Sequence, residues 1–526
     1  MIRKYIRIFL ATGCLLLQAL SASAQDATVY TTTGNASQSL AESNVTVANT
    51  SMTMGALVLD PTQKVQRMDG FGFALTYSSC FNLMKMSAAD RHDLLVKTYS
   101  ETSGYGVSYA RISIGCSDFS STEYTLCDAA GLEHFRLFDD ELKYVIPILK
   151  EILAINPKLK IIASPWTCPV WMKVDDLATK KPHTAWTDGH LNPDYYQTYA
   201  DYFVKFINAF KEYGINIYAV TPQNEPLNAG NCASTYMPAD EEAAFVKVMA
   251  ATFKQDGVKT KIYVYDHNYD KYQYPIQVYN TLGTGYEGSE YVVGSAFHDY
   301  AGSSSLALNA VHSQFPDKDL IFTESSIGTW NDGHNLSTKL IDDMKNITFG
   351  TVNNYCNAVI VWNFMLDDRR GPNLDGGCTT CYGAVDINSG DYKTLSYNSH
   401  YYIICHMASV VSPDAVCIKT NSYSQAGLTY SAFLNPDGTA SVVMLNENSG
   451  QMTVPVSDGI HRLSVSLPGR SVVSCKWVYN ASTAIKNINS DKKITDNYYY
   501  NLQGMRMYKP IARGVYVFNG KKIVVN

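Results

Sequence analysis

The chain has 526 residues, of which 46% are hydrophobic and 17% charged, and its formal net charge is −6. These proportions are ordinary for a soluble globular protein, while the length exceeds what one compact core holds, so we expect one large domain and a smaller one. The acidic balance and the lack of a basic stripe argue against a nucleic-acid-binding protein.

The first 24 residues form a predicted export signal. Arg3, Lys4 and Arg7 precede an apolar run over residues 8–20, and small residues at 22–24 provide a cleavage site. The apolar run is too short to span a bilayer, and no later stretch is long and apolar enough to do so. We therefore expect an exported protein in the periplasm, at the cell surface or outside the cell.

Removal of that signal leaves 11 of the 12 cysteines, an odd number, so at least one thiol is expected to be free. Cys378 and Cys381 form a single C-x-x-C, for which a local disulfide or two plain thiols is preferred over half of a zinc site. Cys116 and Cys127 could also bridge a loop. Five further cysteines lie in apolar stretches and are predicted to be small core residues: Cys80, Cys168, Cys356, Cys405 and Cys475.

Between residues 67 and 411, short apolar runs alternate with longer segments of helical period, such as 138–152 and 239–253. Eight strand–helix alternations are typical of a (β/α)8 barrel, here longer than the ~250 residues usual for that fold. The sequence therefore predicts an α/β protein with a catalytic TIM barrel over 67–411. The eight apolar runs cover residues 70–75, 108–114, 159–164, 215–221, 261–265, 291–297, 320–323 and 358–362.

The segments on either side of this barrel are predicted to be rich in strands. Residues 25–66 contain a polar leader followed by strands. Residues 412–480 contain a hairpin at 428–446 with the turn sequence Asn-Pro-Asp-Gly. We expect these two segments to join in a small β-sandwich beside the barrel. Residues 481–526 are predicted to form a separate C-terminal β module.

Two glutamates follow predicted strands at the positions where barrel enzymes keep their chemistry. Glu225 follows the fourth apolar run in the sequence Asn-Glu-Pro, and Glu324 directly follows the seventh. The carboxyl ends of barrel strands meet at one mouth, and a pair of carboxylates there is what glycoside hydrolysis needs, one as an acid and one as a nucleophile or base. The alternative is that they are two unrelated turn residues.

Further polar and aromatic side chains are predicted at the same mouth, and three of them have a structural alternative. Arg111 is equally well explained as a buried ion-pair partner, His298 as a core histidine, and Trp166 as a packing residue instead of a platform for a sugar ring. The full set at the strand ends is Arg111, Asp118, Trp166, Asn224, Asp266, His267, Asn268, His298, Tyr300, Trp362 and Asn363.

Four motifs together resemble glycoside hydrolase family 30, which includes glucosylceramidases and β-1,6-glucanases. They are GFG at 70–72, ASPWT at 163–167, TPQNEP at 221–226 and FTES at 322–325. The resemblance implies a retaining mechanism with Glu225 as acid/base and Glu324 as nucleophile, their carboxyl groups ~5–5.5 Å apart, and no metal or cofactor. It also implies sugar-binding roles for Arg111, Asp118, Trp166, Asn224, His298, Tyr300 and Trp362, to which we add Asn268 at a strand end.

The favoured substrate is a β-linked glucosyl unit, with β-1,6-glucan as the first choice because an exported enzyme meets polysaccharide more often than sphingolipid. A glucosylceramidase-like or exo-acting β-glucosidase or β-xylosidase is the alternative, and a sugar-binding relative without catalysis is a third, although both glutamates are present. Asp299, Ser326 and the insertion 374–381 depart from the glucosylceramidase pattern and concern the leaving group. We also expect an ionised Glu324 to raise the pKa of Glu225.

Overall fold

The computed structural model describes residues 25–479 and four short strands of the C-terminal tail. The predicted export signal at 1–24 and the remainder of the predicted tail module lie outside the described residues. The tail strands pair with one another in an antiparallel sheet and are Tyr499–Tyr500, Arg506–Met507, Gly514–Phe518 and Lys521–Val525.

Eight parallel strands close into a barrel in which each strand pairs with the next in chain order and the eighth pairs with the first. Each of the eight apolar runs contributes one strand, because strands covered on both faces are near-continuously hydrophobic. The predicted TIM barrel is confirmed. In chain order, the strands are Gly70–Ala74, Tyr109–Ser113, Lys160–Ser164, Ala219–Val220, Lys261–Asn268, Val292–His298, Asp319–Glu324 and Cys356–Val361.

Helices surround the barrel and pack their apolar faces on it. The helix Tyr196–Glu212 buries Tyr199, Phe203, Phe206 and Phe210, which recur on one face at the helical period. The α-helices of the described chain are Tyr77–Lys85, Ala88–Tyr99, Ile146–Ile155, Tyr196–Glu212, Ala239–Gln255, Gln273–Leu282, Ser304–Gln314, Leu336–Asp343, Gly350–Val352 and Ser399–Ala408.

A second ring of nine strands encloses its own apolar core and combines both flanks of the barrel, as the sequence predicts for the β-sandwich. The N-terminal flank supplies three strands, and the first of them pairs with the last strand of the domain. His406, in the helix Ser399–Ala408, joins the two domains because its ring nitrogens lie 2.8 Å from Ser474 Oγ and Thr32 Oγ1. The nine strands are Gln25–Thr33, Ala41–Asn49, Leu57–Arg67, Val416–Thr420, Leu428–Leu434, Thr439–Asn446, Met452–Ser457, His461–Leu467 and Ser471–Val478.

Seven further short strands lie in the loops of the barrel. Lys173–Val174 pairs with His190–Leu191, and Ile327–Gly328 pairs with Cys381–Tyr382. The remaining three strands form one small sheet and are Met365–Asp367, Val385–Ile387 and Leu395–Tyr397.

The cysteines follow the sequence expectation in part. Cys378 and Cys381 form a disulfide, and the five cysteines predicted in the core are buried and free. The prediction that Cys116 and Cys127 could form a disulfide is wrong. Both thiols are free, and Cys127 Sγ lies 3.2 Å from the carbonyl oxygen of Gly131, to which it donates instead. Within the described part of the chain, no helix combines the length and apolarity that crossing a membrane requires.

Candidate active site

A cavity of about 550 Å³ opens among the loops that follow the carboxyl ends of the barrel strands. This volume lies within the range of small-molecule sites, ~300–1,000 Å³. Of the thirteen residues predicted at the strand ends, seven line the cavity and six lie beneath its surface. The lining residues are Asp118, Glu225, His267, Asn268, Tyr300, Glu324 and Trp362; the buried ones are Arg111, Trp166, Asn224, Asp266, His298 and Asn363.

Arg111, Asp266 and His298 belong to a polar layer inside the barrel. Side chains alternate along a strand, so a residue two positions after an inward-facing one also faces inward. The lower layer is apolar and includes Tyr109, Ile162, Ala219, Ala296 and Ile321. Two positions later, on the same strands or directly after them, stand polar side chains, namely Arg111, Ser164, Thr221, His298 and Thr323.

Asp266 is the centre of this polar layer. Its Oδ2 accepts hydrogen bonds from the guanidinium of Arg111 at 2.9 Å and from the hydroxyls of Ser164 and Thr221. Its Oδ1 accepts from Thr323 Oγ1 at 2.6 Å and lies 3.1 Å from His298 Nε2. These donors and the charge of Arg111 outweigh the cost of burial and hold the pKa of Asp266 far below its ordinary value. The carboxylate is therefore ionised and fixed.

Asp266 reaches the interior because the fifth barrel strand contains a bulge. Tyr263 faces inward, so regular alternation would aim Tyr265 inward and Asp266 outward. The register shifts between Tyr265 and His267, and both Tyr265 and Asp266 adopt left-handed backbone conformations, with φ of 78° and 57°. A left-handed conformation is uncommon for any residue with a side chain, and for the bulky Tyr265 it is strained. Glu242 Oε1 supports the bulge by accepting the N–H of Tyr265 at 2.9 Å.

Glu225 stands on the loop after the fourth strand in another left-handed conformation, with φ of 47°. Its backbone N–H donates to the carbonyl of Asp266 at 3.0 Å, so the bulge also positions this loop. Its carboxylate Oε1 lies 3.2 Å from His298 Nδ1, and Oε2 accepts from Asn228 Nδ2 at 2.7 Å. Asn228 was not predicted for the site, although it follows Glu225 by three residues in the same turn.

Glu324 ends the seventh strand and is held at both carboxylate oxygens. Arg111 donates to Oε2 at 2.6 Å, and the hydroxyl of Tyr300 donates to Oε1 at 2.9 Å. Burial raises the pKa of Glu324, against the lowering effect of His298 and Arg111. Ligand-capable atoms of Glu225, His298 and Glu324 all lie within 4.8 Å of one another. The two carboxylates therefore face the same small space.

The protonation of Glu225 differs from the sequence expectation. Burial acts to raise the pKa of Glu225, but the hydrogen bond and charge of His298, together with His267 and Asn228, outweigh it and lower the pKa of Glu225 to about 2. Burial opposes the charged form of His298, yet Glu324, Asp266 and Glu225 together raise its pKa to about 10. In the free protein, the proton therefore resides on His298. The expectation considered Glu324 and omitted the imidazolium beside it.

Arg111 is a buried ion-pair partner, and its hydrogen bonds also connect several side chains of the site. It is fully buried, and its guanidinium bonds Asn224 Oδ1 as well as the two carboxylates described above. Its Cζ lies 5.2 Å from the ring centroids of both Trp166 and Trp362. These two rings stack on each other at 5.3 Å, and Trp362 forms part of the cavity floor. Trp166 supports that floor from below.

Two further side chains contribute polar atoms to the cavity wall. Asp118 Oδ1 is shielded from solvent without a hydrogen-bond partner among the described residues, and burial together with Glu324 and Glu225 raises the pKa of Asp118 well above its ordinary value. An unpaired buried polar atom is costly unless a ligand satisfies it. Asn268 Oδ1 accepts the N–H of Tyr300 at 3.1 Å and thereby fixes that loop.

Among the described residues, Glu225, His298 and Glu324 form a group whose spacing could hold a metal ion. Both ring nitrogens of His298 are already directed at carboxylates, Glu225 on one side and Asp266 on the other. A metal at this position would have to displace one of these contacts. The donor set is therefore better matched to a shared proton than to an ion.

Comparisons with known proteins agree on one family. Residues 68–411 match the TIM-barrel domain of glycosyl hydrolase family 30, and residues 414–475 match the beta-sandwich domain of the same family. A putative glucosylceramidase 4 from Caenorhabditis elegans is 30% identical over 464 residues, which cover 83% of this chain and 86% of that protein. An endo-1,6-beta-D-glucanase from Aspergillus fumigatus is 31% identical and covers 78% of this chain and 85% of its own length.

The solved structures give the same result. The structure of an endo-beta1,6-glucanase superposes with a TM-score of 0.83 at 51% sequence identity, covering 86% of this chain and all of its own. The family resemblance carried by the four sequence motifs is confirmed.

Proposed function

The chain belongs to glycosyl hydrolase family 30 and is a glycoside hydrolase, and we propose that it cleaves β-1,6-glucan with retention of anomeric configuration. Glu324 is the nucleophile and Glu225 the acid/base. The observation that carries this mechanism is the approach of their carboxylate oxygens to within 4.8 Å. Retaining enzymes place the two carboxyl groups ~5–5.5 Å apart, whereas inverting enzymes need ~6.5–9.5 Å to admit a water molecule between them and the sugar.

In the first step, a carboxylate oxygen of Glu324 attacks the anomeric carbon and the bond to the leaving oxygen breaks. The bonding electron pair leaves with that oxygen, which takes a proton from Glu225. Glu225 is ionised in the free protein and first receives this proton from His298 Nδ1 across their 3.2 Å contact, so the step leaves Glu225 ionised and His298 neutral. Arg111 and Tyr300 hold the nucleophile in place, which lowers the entropic cost of the attack.

In the second step, water attacks the anomeric carbon of the glycosyl-enzyme and the bond to Glu324 breaks. Glu225, now ionised, accepts the proton of the water. The charge on Glu324 is absent in the covalent intermediate, and this charge is the main attraction that raises the pKa of His298. As the bond to Glu324 forms, the hold of His298 on its proton weakens, which favours transfer of that proton to Glu225 in the first step. When Glu324 is released as a carboxylate, the proton that Glu225 took from water returns to His298.

The sugar that undergoes attack binds on the cavity floor. Its apolar face rests on the ring of Trp362, and its hydroxyls satisfy the free Oδ1 of Asp118. In this proposal Asn224, which accepts a hydrogen bond from Arg111 and precedes Glu225, holds the 2-hydroxyl. The buried Trp166 contributes by supporting the ring of Trp362, and His298 contributes by exchanging a proton with Glu225.

The polysaccharide substrate is supported by the endo-beta1,6-glucanases among the relatives, at 51% and 31% identity. A glucosylceramidase-type activity is the second candidate, because the 30% identical relative carries that name. The predicted export signal supports an exported enzyme, for which a polysaccharide outside the cell is an accessible substrate.

Azide rescue distinguishes the roles of the two glutamates. Glu225→Ala, given a β-1,6-oligoglucoside with an activated aryl leaving group, should accumulate the glycosyl-enzyme and release a β-glycosyl azide when azide is added. Glu324→Ala should instead release the α-glycosyl azide, because azide then takes the place of the nucleophile. The same product from both variants would contradict the assignment.

Product analysis on β-1,6-glucan tests the substrate. Wild type is expected to release oligosaccharides whose newly formed reducing ends are initially β by NMR, and Glu324→Gln should release none. Glu141→Gln is the matched control, since Glu141 is also buried but lies outside the cavity, and it should retain activity. Hydrolysis of glucosylceramide but not of the glucan would favour the second candidate.

A further inference from the structure

One wall of the cavity is built from two loops that the catalytic proposal does not use. Trp330 and the disulfide-bonded pair Cys378 and Cys381 line this wall. The side chain of Trp330 is 52% exposed, which is unusual for an aromatic residue of this size. Nothing in the packing of the barrel accounts for an open indole ring at this position.

The ring of Trp330 is held in place from below. A methyl group added at Gly328 would lie 2.0 Å from Cζ3 and 2.5 Å from Cη2 of the indole, so the ring rests directly on the Gly328 backbone. The N–H of Gly328 donates to Asn331 Oδ1 at 3.0 Å and closes the turn that carries Trp330. The ring can occupy this position only because residue 328 has no side chain.

The disulfide loop supports the same turn from the side. The strand Ile327–Gly328 pairs with Cys381–Tyr382, and the N–H of Thr329 donates to the carbonyl of Thr380 at 3.0 Å. The bond between Cys378 and Cys381 closes the loop that provides this carbonyl. The indole is therefore an oriented surface and not a free side chain.

The position of Trp330 indicates which part of the substrate it meets. Trp362, on the floor beside the nucleophile, is only 5% exposed, whereas Trp330 is at the open edge of the same cavity. In the proposed binding mode, the sugar under attack lies on Trp362 beside Glu324, and the leaving-group sugar attached to it extends toward the open edge of the cavity. The next sugar, on the leaving-group side, is therefore the one within reach of Trp330.

We propose that Trp330, resting on Gly328 and braced by the Cys378–Cys381 loop, forms the subsite that binds the first sugar on the leaving-group side. The indole stacks on the apolar C–H face of that sugar, as aromatic rings do in carbohydrate sites. This subsite rests on the proposed function, because it requires a glycan leaving group. It makes the enzyme select a carbohydrate leaving group over a smaller one.

The test compares two substrates that differ only in the leaving group. The first is a linear β-1,6-gluco-oligosaccharide, and the second is β-gentiobiosyl fluoride, in which fluoride replaces the leaving-group sugars. Trp330→Ala should lower kcat/KM for the oligosaccharide about tenfold or more, equivalent to ~1.4 kcal/mol, and leave kcat/KM for the fluoride within twofold of wild type. Trp330→Phe should recover most of the loss.

Two further variants act as support and control. Gly328→Ala adds a methyl group that meets both the indole and, at 2.4 Å, the Thr380 carbonyl, so it displaces the braced ring without removing it and should show the same selective loss on the oligosaccharide. Tyr213→Ala removes another exposed aromatic side chain, outside the cavity, and should change neither rate. Equal losses on both substrates in Trp330→Ala, or no loss on either, would overturn the subsite. Wild type inactive on both substrates would instead reject the proposed function.

Discussion

His298 should determine the upper pH limit of activity, and its replacement by Asn tests this. The Asn side chain retains an amide donor near the position of Nδ1, so the contact with Glu225 at 3.2 Å can persist while the positive charge is lost. In wild type, the proton of the Glu225–His298 pair is held by a group whose pKa is raised to about 10. Activity is therefore expected to persist well above neutral pH.

The size of the effect follows from where the proton can reside. In His298→Asn, only Glu225 can carry it, and a buried carboxyl beside the ionised Glu324 titrates near ~6–7. The alkaline limb should therefore move down by about 3 pH units, since kcat/KM falls tenfold for each pH unit above the limb. At pH 8.5, the variant should retain on the order of 1% of its own acidic maximum.

The assay is kcat/KM for a β-1,6-gluco-oligosaccharide from pH 4 to about 11, a range that includes the alkaline limb of wild type, measured by reducing ends. His406→Asn is the matched control, because His406 is also fully buried with partners on both ring nitrogens but lies at the domain junction. It should leave the pH profile unchanged. Thermal unfolding at each pH confirms that both variants are folded. An equal loss at every pH in His298→Asn would refute the reasoning and leave His298 a structural role.

Three other expectations concern stability and the cavity wall. Arg111→Met leaves two buried carboxylates without their cation and should cost about 3–5 kcal/mol in urea denaturation; a loss below ~1 kcal/mol would contradict the role of Arg111 as their counter-charge. Burial raises the pKa of Glu242 from 4.5 to about 7, so the stability that its protonated form contributes is full below pH 4.5 and is lost as pH rises through 7. The free energy of unfolding of Glu242→Gln should therefore gain up to about 3 kcal/mol on that of wild type between pH 5 and 8. A difference in Tm between the two proteins that does not change with pH would exclude this. Joint replacement of Cys378 and Cys381 by Ser should raise KM for glucan several-fold with little change in Tm, and reductant should move wild type toward the same KM; a KM that neither treatment alters would show that the loop holds its shape without the bond.

The sequence predicts the barrel well because of how its strands are buried. A strand covered on both faces is an uninterrupted apolar run, and the run over residues 320–323 ends directly at Glu324. Closure of the barrel then brings all carboxyl ends to one mouth, so Glu225 and Glu324 meet although 99 positions separate them in the sequence. The apolar pattern and the barrel topology are therefore enough to predict the fold and the meeting of these two glutamates.

The role of Asp266 could not be predicted in the same way. Alternation along Lys261–Asn268 from the inward-facing Tyr263 would aim Asp266 away from the barrel interior. The extra residue in the bulge turns the side chain of Asp266 toward the barrel interior. A tyrosine at position 265 does not predict a left-handed backbone conformation there. The support comes from Glu242 on a helix of the outer ring, a contact that only the folded structure reveals.

The balance of charge in the polar layer connects these observations. Arg111 and His298 supply two positive charges, and Asp266, Glu225 and Glu324 supply three negative ones, so the cluster carries a net charge of −1 in its ionised form. An uncompensated buried charge is costly because it has lost its hydration, and its attraction to an opposite charge is stronger where water is excluded. The transition state of glycoside hydrolysis is oxocarbenium-like and brings one positive charge to the anomeric carbon. The net negative charge of the cluster, which the bulge at Asp266 holds in place in the free protein, is therefore neutralised only when the positively charged transition state forms.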